Sequence, residues 1–216
     1  MGTYYIVRHG ETEANQAGIL QGHLNVPLSD RGRKQAEAVA SRLRSVKIDV
    51  IYTSDLDRAK DTAMAIAKYH NCKLILDRRL REVHCGILQG KTMAECREKY
   101  PELFERFKQD PIGTERPGGE SYKDLFDRTT RALEDIYERY PDSNVVIVTH
   151  GGPIRCLLAY ASGKLVDPGS PTPNNASISI ITRDENGWSV EKFNDVDHLK
   201  PLGDDAAKSN ADAYRW

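Results

Sequence analysis

The chain has 216 residues, 39% of them hydrophobic, which suits one globular domain with a sizeable core. Its 31 basic and 32 acidic residues leave a formal net charge of −1. That balance gives no electrostatic footprint for nucleic acid or an anionic membrane surface, so neither is expected as a partner, and any positive potential must be local.

In chain order, residues 4–7 (YYIV) predict the first buried strand. No positive segment followed by a long apolar one precedes it, so no signal peptide is expected, and no later stretch is long enough to span a membrane. Residues 29–45 predict a helix through Ala36, Val39, Ala40 and Leu43, capped by Ser29 or Asp30. Residues 50–53 (VIYT) predict a second buried strand. Residues 56–69 predict a helix buried through Ala59, Ala63, Ile66 and Ala67; Ser54, three before Asp57, resembles a capping box. Residues 73–76 (KLIL) predict another buried strand. A polar helical segment then interrupts the alternation and is expected to form a lid, residues 84–118, over one edge of the sheet.

The longest helix follows, with Tyr122, Leu125, Phe126, Leu133, Ile136, Tyr137 and Tyr140 on one face and Ser121 and Asp124 at its start. Residues 145–149 (VVIVT) predict a strand, and a helix is expected after Gly152-Pro153. Residues 176–183 and 188–193 flank Asn186-Gly187 and predict an antiparallel hairpin. From 195 onward apolar periodicity fades, which predicts a loosely held tail. Together these elements predict an α/β fold: a three-layer α/β/α sandwich with a mainly parallel sheet and an antiparallel edge strand. One domain is expected over residues 1–198, with 199–216 as the tail. Cys72, Cys85, Cys96 and Cys156 show no CxxC spacing and read as free thiols of a reducing, cytoplasmic compartment. The oligomeric state is not legible; a homodimer is compatible with the sequence.

Two strands end alike, in YYIVRHGE and VVIVTHGG. Ligands of open α/β sheets bind beyond the carboxyl ends of strands, where His9 and His150 both fall. One histidine there is ordinarily a surface or core residue; two in matched contexts point to one site. The glycine after each lets the backbone turn and approach a ligand. Arg58 falls in the first turn of a helix, where the helix dipole disfavours a cation by about 0.3–1 kcal/mol, unless it faces an anion. Arg8 offers the same fork of donors. Arg8, Arg58, His9, His150 and helix-end amides therefore read as a pocket for a dianion such as phosphate. Nearby arginines should keep His9 neutral, and hence nucleophilic. Glu82 and Glu11 compete as the carboxyl that protonates a leaving alkoxide. The histidines show no metal-ligand spacing, so no metal and no cofactor are expected.

RHGETEAN, LSDRGRKQA, SDLDRAKDTA, LREVHCGILQGKT, PGGES and VIVTHGG, in that order, resemble the histidine phosphatase superfamily over about residues 4–198. The resemblance implies the phosphoglycerate mutase-like fold and a two-step, metal-independent reaction through a phosphohistidine. By position it implies His9 as the phosphorylated residue, and Arg8, Arg58 and His150 as its phosphate pocket. It implies Glu82, rather than Glu11, as proton donor and Asn15 as a phosphate contact. Gln21 and Gly22 fall on the substrate side, and the Gly151 amide is a further candidate donor. The short stretch from Glu82 to PGGES is similar to the phosphatases of the family, and a small phosphorylated metabolite, such as phosphoserine, a phosphoglycerate or a sugar phosphate, is the expected substrate. CGILQG is closer to the mutase wording, so a cofactor-dependent phosphoglycerate mutase is the alternative, and a non-catalytic binding module the second.

Overall fold

The computed structural model describes residues 1–203. One six-stranded sheet organises them, in the order β3-β2-β4-β1-β5-β6. The strands are β1 (Gly2–Arg8), β2 (Val50–Thr53), β3 (Lys73–Leu76), β4 (Asn144–Thr149), β5 (Ile178–Asp184) and β6 (Gly187–Asp195). β1 to β4 run parallel; β5 pairs antiparallel with β1 and β6 antiparallel with β5, so the expected antiparallel edge is the β5–β6 hairpin. The hairpin turns at Glu185-Asn186, with Asp184 paired to Gly187.

The β-branched runs alternate between two apolar layers, as side chains on a pleated strand must. Val7, Ile51, Val146 and Val148 meet helices α2 (Asp30–Leu43) and α3 (Asp57–Ala67) on one face. Tyr4, Ile6, Val50, Tyr52, Val145 and Ile147 meet α6 (Tyr122–Arg139) and α7 (Gly151–Ala161) on the other. Three layers result. A short helix, α1 (Glu13–Gln16), lies between β1 and α2.

Several expectations need correction. Residues 73–76 have the composition of a buried strand, but β3 is the sheet edge and Leu76 is half exposed. Helix α3 has no side-chain cap at Leu56; Ser54 Oγ accepts instead from the Leu56 amide, and the Asp57 amide donates to Asn25 Oδ1 at 2.8 Å. Helix α7 starts at Gly151, with Pro153 inside its first turn, where a missing amide hydrogen costs no helical bond.

The segment 84–118 carries α4 (Met93–Lys99) and α5 (Pro101–Gln109). It does not cover a sheet edge. Its apolar stripe, Leu103, Phe104 and Phe107, closes with Leu20 and Leu88 on Tyr122 and Leu125 at the start of α6 and on Cys156 in the middle of α7. Residues Asp197–Leu202, expected to be loose, form a 3-10 helix that buries Leu199 against α2. His198 Nε2 donates to Ala176 O at 2.8 Å from the same turn. The rest of the expected tail lies outside the described residues. Leu199→Ala is expected to cost about 2–5 kcal/mol of stability, read as a lowered urea midpoint; a loosely held segment would cost nothing.

Candidate active site

β1 and β4 pair in parallel register, Arg8 opposite Thr149, so the residues that follow each strand emerge side by side. The His9 amide donates to Thr149 O at 3.0 Å. The His9 carbonyl accepts from the Ala176 amide and from Asn175 Nδ2, both at 3.1 Å. Held at both ends, the buried His9 ring stands with its centroid 5.0 Å from that of the fully buried His150.

Hydrogen-bond partners assign the two imidazoles opposite tautomers. His9 Nδ1 lies 2.7 Å from Gly10 O. A carbonyl only accepts, so Nδ1 carries the proton and Nε2 carries the lone pair. Arg58 Nε only donates and lies 3.2 Å from His150 Nδ1, so that nitrogen is bare and Nε2 carries the proton. Among the described residues His150 Nε2 has no hydrogen-bond partner. Both rings are held neutral, well below the usual imidazole range. Burial is the larger cause, followed by Arg58 and then, with His9 itself acting on His150, by Arg8. The sequence suggested repulsion by the arginines; desolvation outweighs it. Two neighbouring rings thus differ at Nε2: that of His9 carries a lone pair and that of His150 a proton.

Arg58 is 1% exposed, and its guanidinium also donates to Gly22 O at 2.9 Å and Leu24 O at 2.8 Å. It therefore ties α3, His150 and the 21–24 loop together as well as adding charge. Arg8, at the end of β1, donates through Nη1 to Pro173 O at 2.5 Å. Asn15 Oδ1 accepts from the Thr12 amide, the Thr12 hydroxyl and Asn175 Nδ2, an arrangement that closes α1 with a capping box.

Glu82 follows a 3-10 turn (Arg78–Leu80) after β3. Its Oε1 accepts from the amides of Val83, at 2.9 Å, and Gly152, at 3.1 Å. A Cβ at residue 152 would lie 2.4 Å from that oxygen, so any side chain there would push the Glu82 carboxylate out of this position. Gly10 serves differently from the expected approach to a ligand: a Cβ there would lie 2.4 Å from Gly32 O, and the turn packs on α2.

An open cleft brings together Arg8, His9, Asn15, Gln21, Gly22, Arg58, Glu82 and Gly151. His150 lies behind this surface, against His9. Glu11 does not line the cleft; its carboxylate accepts from Ser29 and Gln16. The cleft also holds residues that the sequence reading missed: Leu20, Val83, Cys85, Tyr122, Arg155 and Thr172. Arg155 is buried, donating through Nη1 to Tyr122 Oη at 2.8 Å and through Nη2 to Thr172 Oγ1. Its signal was an arginine inside the apolar helix PIRCLLAY. The described residues hold no cluster of three or more His, Cys, Asp or Glu able to bind a metal ion.

The geometry is that of a phosphate-handling α/β enzyme. The family model of the histidine phosphatase superfamily (branch 1) matches residues 4–196. A metal-independent phosphoserine phosphatase of Arabidopsis thaliana is 39% identical, over 92% of this chain and 83% of that protein. Phosphoglycerate mutase-like protein 4 of the same plant is 40% identical, over 92% and 87%. The solved structure of Bacillus stearothermophilus YhfR superposes with a TM-score of 0.85 at 34% identity, over 92% of this chain and all of that one. The chain belongs to the histidine phosphatase superfamily.

Neutral burial of both imidazoles has a consequence for stability. Unfolding frees them to protonate below about pH 6.5, so the unfolded chain binds more protons there and stability falls as pH falls. Each ring is expected to contribute up to about 1.4 kcal/mol per pH unit below that value. Urea midpoints at pH 7, 6 and 5 measure the slope, and His150→Gln should flatten it; an unchanged slope would mean that His150 is charged in the fold.

Proposed function

We propose that this chain is a metal-independent phosphatase of small phosphomonoesters, acting through a phosphohistidine on His9. One observation carries the reading: His9, its lone pair on Nε2, lines one cleft with the buried Arg8 and Arg58, and its ring packs against that of His150, whose Nε2 carries a proton. In the first step His9 Nε2 attacks phosphorus and the bond to the leaving oxygen breaks. Arg8, Arg58 and the His150 N–H stabilise the charge on the equatorial oxygens, which is where phosphoryl transfer develops it. The carboxyl of Glu82 gives its proton to the departing alkoxide, a contribution of about 10²–10⁴ in rate. In the second step the Glu82 carboxylate takes a proton from water, the resulting hydroxide equivalent attacks phosphorus, and His9 leaves as the neutral imidazole.

Hydrolysis rather than transfer is favoured by the Arabidopsis relative named a metal-independent phosphoserine phosphatase, and phosphoserine heads the substrates to be tried. The segment 84–118 acts as the lid, and through Cys85 it reaches the cleft wall. The free cysteines agree with a reducing, cytoplasmic setting.

The test is direct. His9→Ala should reduce phosphoserine turnover to background, and EDTA should leave the parent enzyme's rate intact. Acid-sensitive, alkali-stable radiolabel from a phosphorylated substrate should appear on the parent and not on the variant. Chelator inhibition reversed by a divalent ion, or label retained in His9→Ala, would refute the mechanism. Rapid interconversion of 3- and 2-phosphoglycerate that depends on bisphosphoglycerate, with slow phosphate release, would make the chain a mutase instead.

A further inference from the structure

Glu82 stands on a loop, not at a strand end or in a helix, yet a proton donor must be placed to within a fraction of an ångström of the leaving oxygen. Loop carbonyls ordinarily face water. Here the four consecutive carbonyls from Arg79 to Glu82 all accept from side chains. Thr149 Oγ1 donates to Leu80 O at 2.6 Å. Arg128, on α6, takes the other three: Nη1 donates to Arg79 O at 2.6 Å and Arg81 O at 2.8 Å, and Nη2 to Glu82 O at 2.8 Å.

The remaining two N–H groups of Arg128 bind Glu120, with Nε to Oε2 at 3.0 Å and Nη2 to Oε1 at 2.5 Å. All five guanidinium hydrogens are thereby engaged, three on the acid's own loop. Glu120 in turn accepts from the His84 amide, two residues beyond Glu82, at 2.8 Å. The Glu82 carbonyl has a second donor in His23 Nε2 at 2.8 Å. The Arg128–Glu120 pair is mostly sheltered, with side chains 20% and 16% exposed. A surface ion pair contributes little by itself; a planar fork that spans three carbonyls fixes geometry.

We infer that Arg128, held by Glu120, is a positioning residue for the reaction: it clamps the Arg79–Glu82 loop so that the Glu82 carboxyl meets the leaving oxygen. Arg128 does not line the cleft; it acts through Glu82. The inference rests on the proposed role of Glu82 as proton donor, and the experiment separates the two.

A leaving alkoxide needs the proton, whereas p-nitrophenolate departs without it. The readout is therefore the ratio of kcat/KM for phosphoserine to that for p-nitrophenyl phosphate. Arg128→Met is expected to lower this ratio about tenfold or more, within the span of general acid catalysis. Glu82→Gln should lower it at least as far. Adding Arg128→Met to Glu82→Gln should lower it no further, because the clamp acts only through the acid. Arg128→Lys, which keeps the charge but not the fork, should fall between the parent and Arg128→Met. Thermal melts establish that each variant is folded; if Arg128→Met is not, Arg128→Lys carries the test, with a loss of threefold or more in the ratio expected. Equal losses on both esters, or a further fall in the double variant, would assign Arg128 a merely structural part and overturn the inference. A collapsed ratio in Glu82→Gln beside an intact one in the Arg128 variants would sink the clamp alone. An intact ratio in Glu82→Gln would sink the proton-donor reading and the clamp with it.

Discussion

The parallel register of β1 against β4 is the constraint on which the site depends. Arg8 lies opposite Thr149, and the His9 amide continues the ladder to Thr149 O. Each strand is buried on both faces, so a slip of one residue would exchange the residues committed to the α2–α3 layer with those committed to the α6–α7 layer. The cores thereby fix the register, and the register fixes the histidines. Because α7 begins directly at Gly151, the same strand end also delivers the Gly152 amide to Glu82. The placements of His9, His150 and Glu82 are three outcomes of one pairing.

That arrangement concentrates basic groups in the interior, which is costly unless charge is limited and donors are satisfied. Two devices meet the requirement. The imidazoles stay neutral, so only the guanidiniums carry charge. The guanidiniums spend donors on carbonyls of Gly22, Leu24 and Pro173 and on a ring nitrogen. A carbonyl satisfies an N–H without neutralising the charge behind it. The Arg58 to His150 bond does more than satisfy a donor: it sends the His150 proton to the other ring nitrogen, whereas Gly10 sends the His9 proton away from Nε2. Neighbouring rings of one residue type are thereby given opposite chemistry by their partners.

What the sequence made legible was what local pattern encodes. Continuous β-branched runs announced β1, β2 and β4, and an apolar face with Ser121 and Asp124 at its start announced α6. Sheet order is not local, so KLIL looked buried although nothing covers one edge of β3. The α3 start escaped for a similar reason: its amide is satisfied by Asn25, thirty-two positions away, and not by a neighbour. Leu199 is a single apolar anchor and creates no periodicity, so the turn around it looked loose. At the site, matched strand endings exposed His9 and His150. Glu82 could not be separated from Glu11 by residue chemistry, because what distinguishes them is a set of partners from β4, α6, α7 and the 21–24 loop. The resemblance to a known family chose between them where the residues alone did not.

The 21–24 loop joins the two sides of the cleft. Its carbonyls at Gly22 and Leu24 hold Arg58, while its His23 ring holds the Glu82 carbonyl. Gly22 sits at φ 51°, and a Cβ there would lie 2.4 Å from Gln89 Oε1, the oxygen that accepts from the His23 amide at 2.6 Å. Gln89 belongs to the segment 84–118, so that segment is tied through the His23 amide to the loop that holds both Arg58 and the Glu82 carbonyl. One short loop therefore fixes the two side chains relative to each other, although they come from α3 and from the turn after β3.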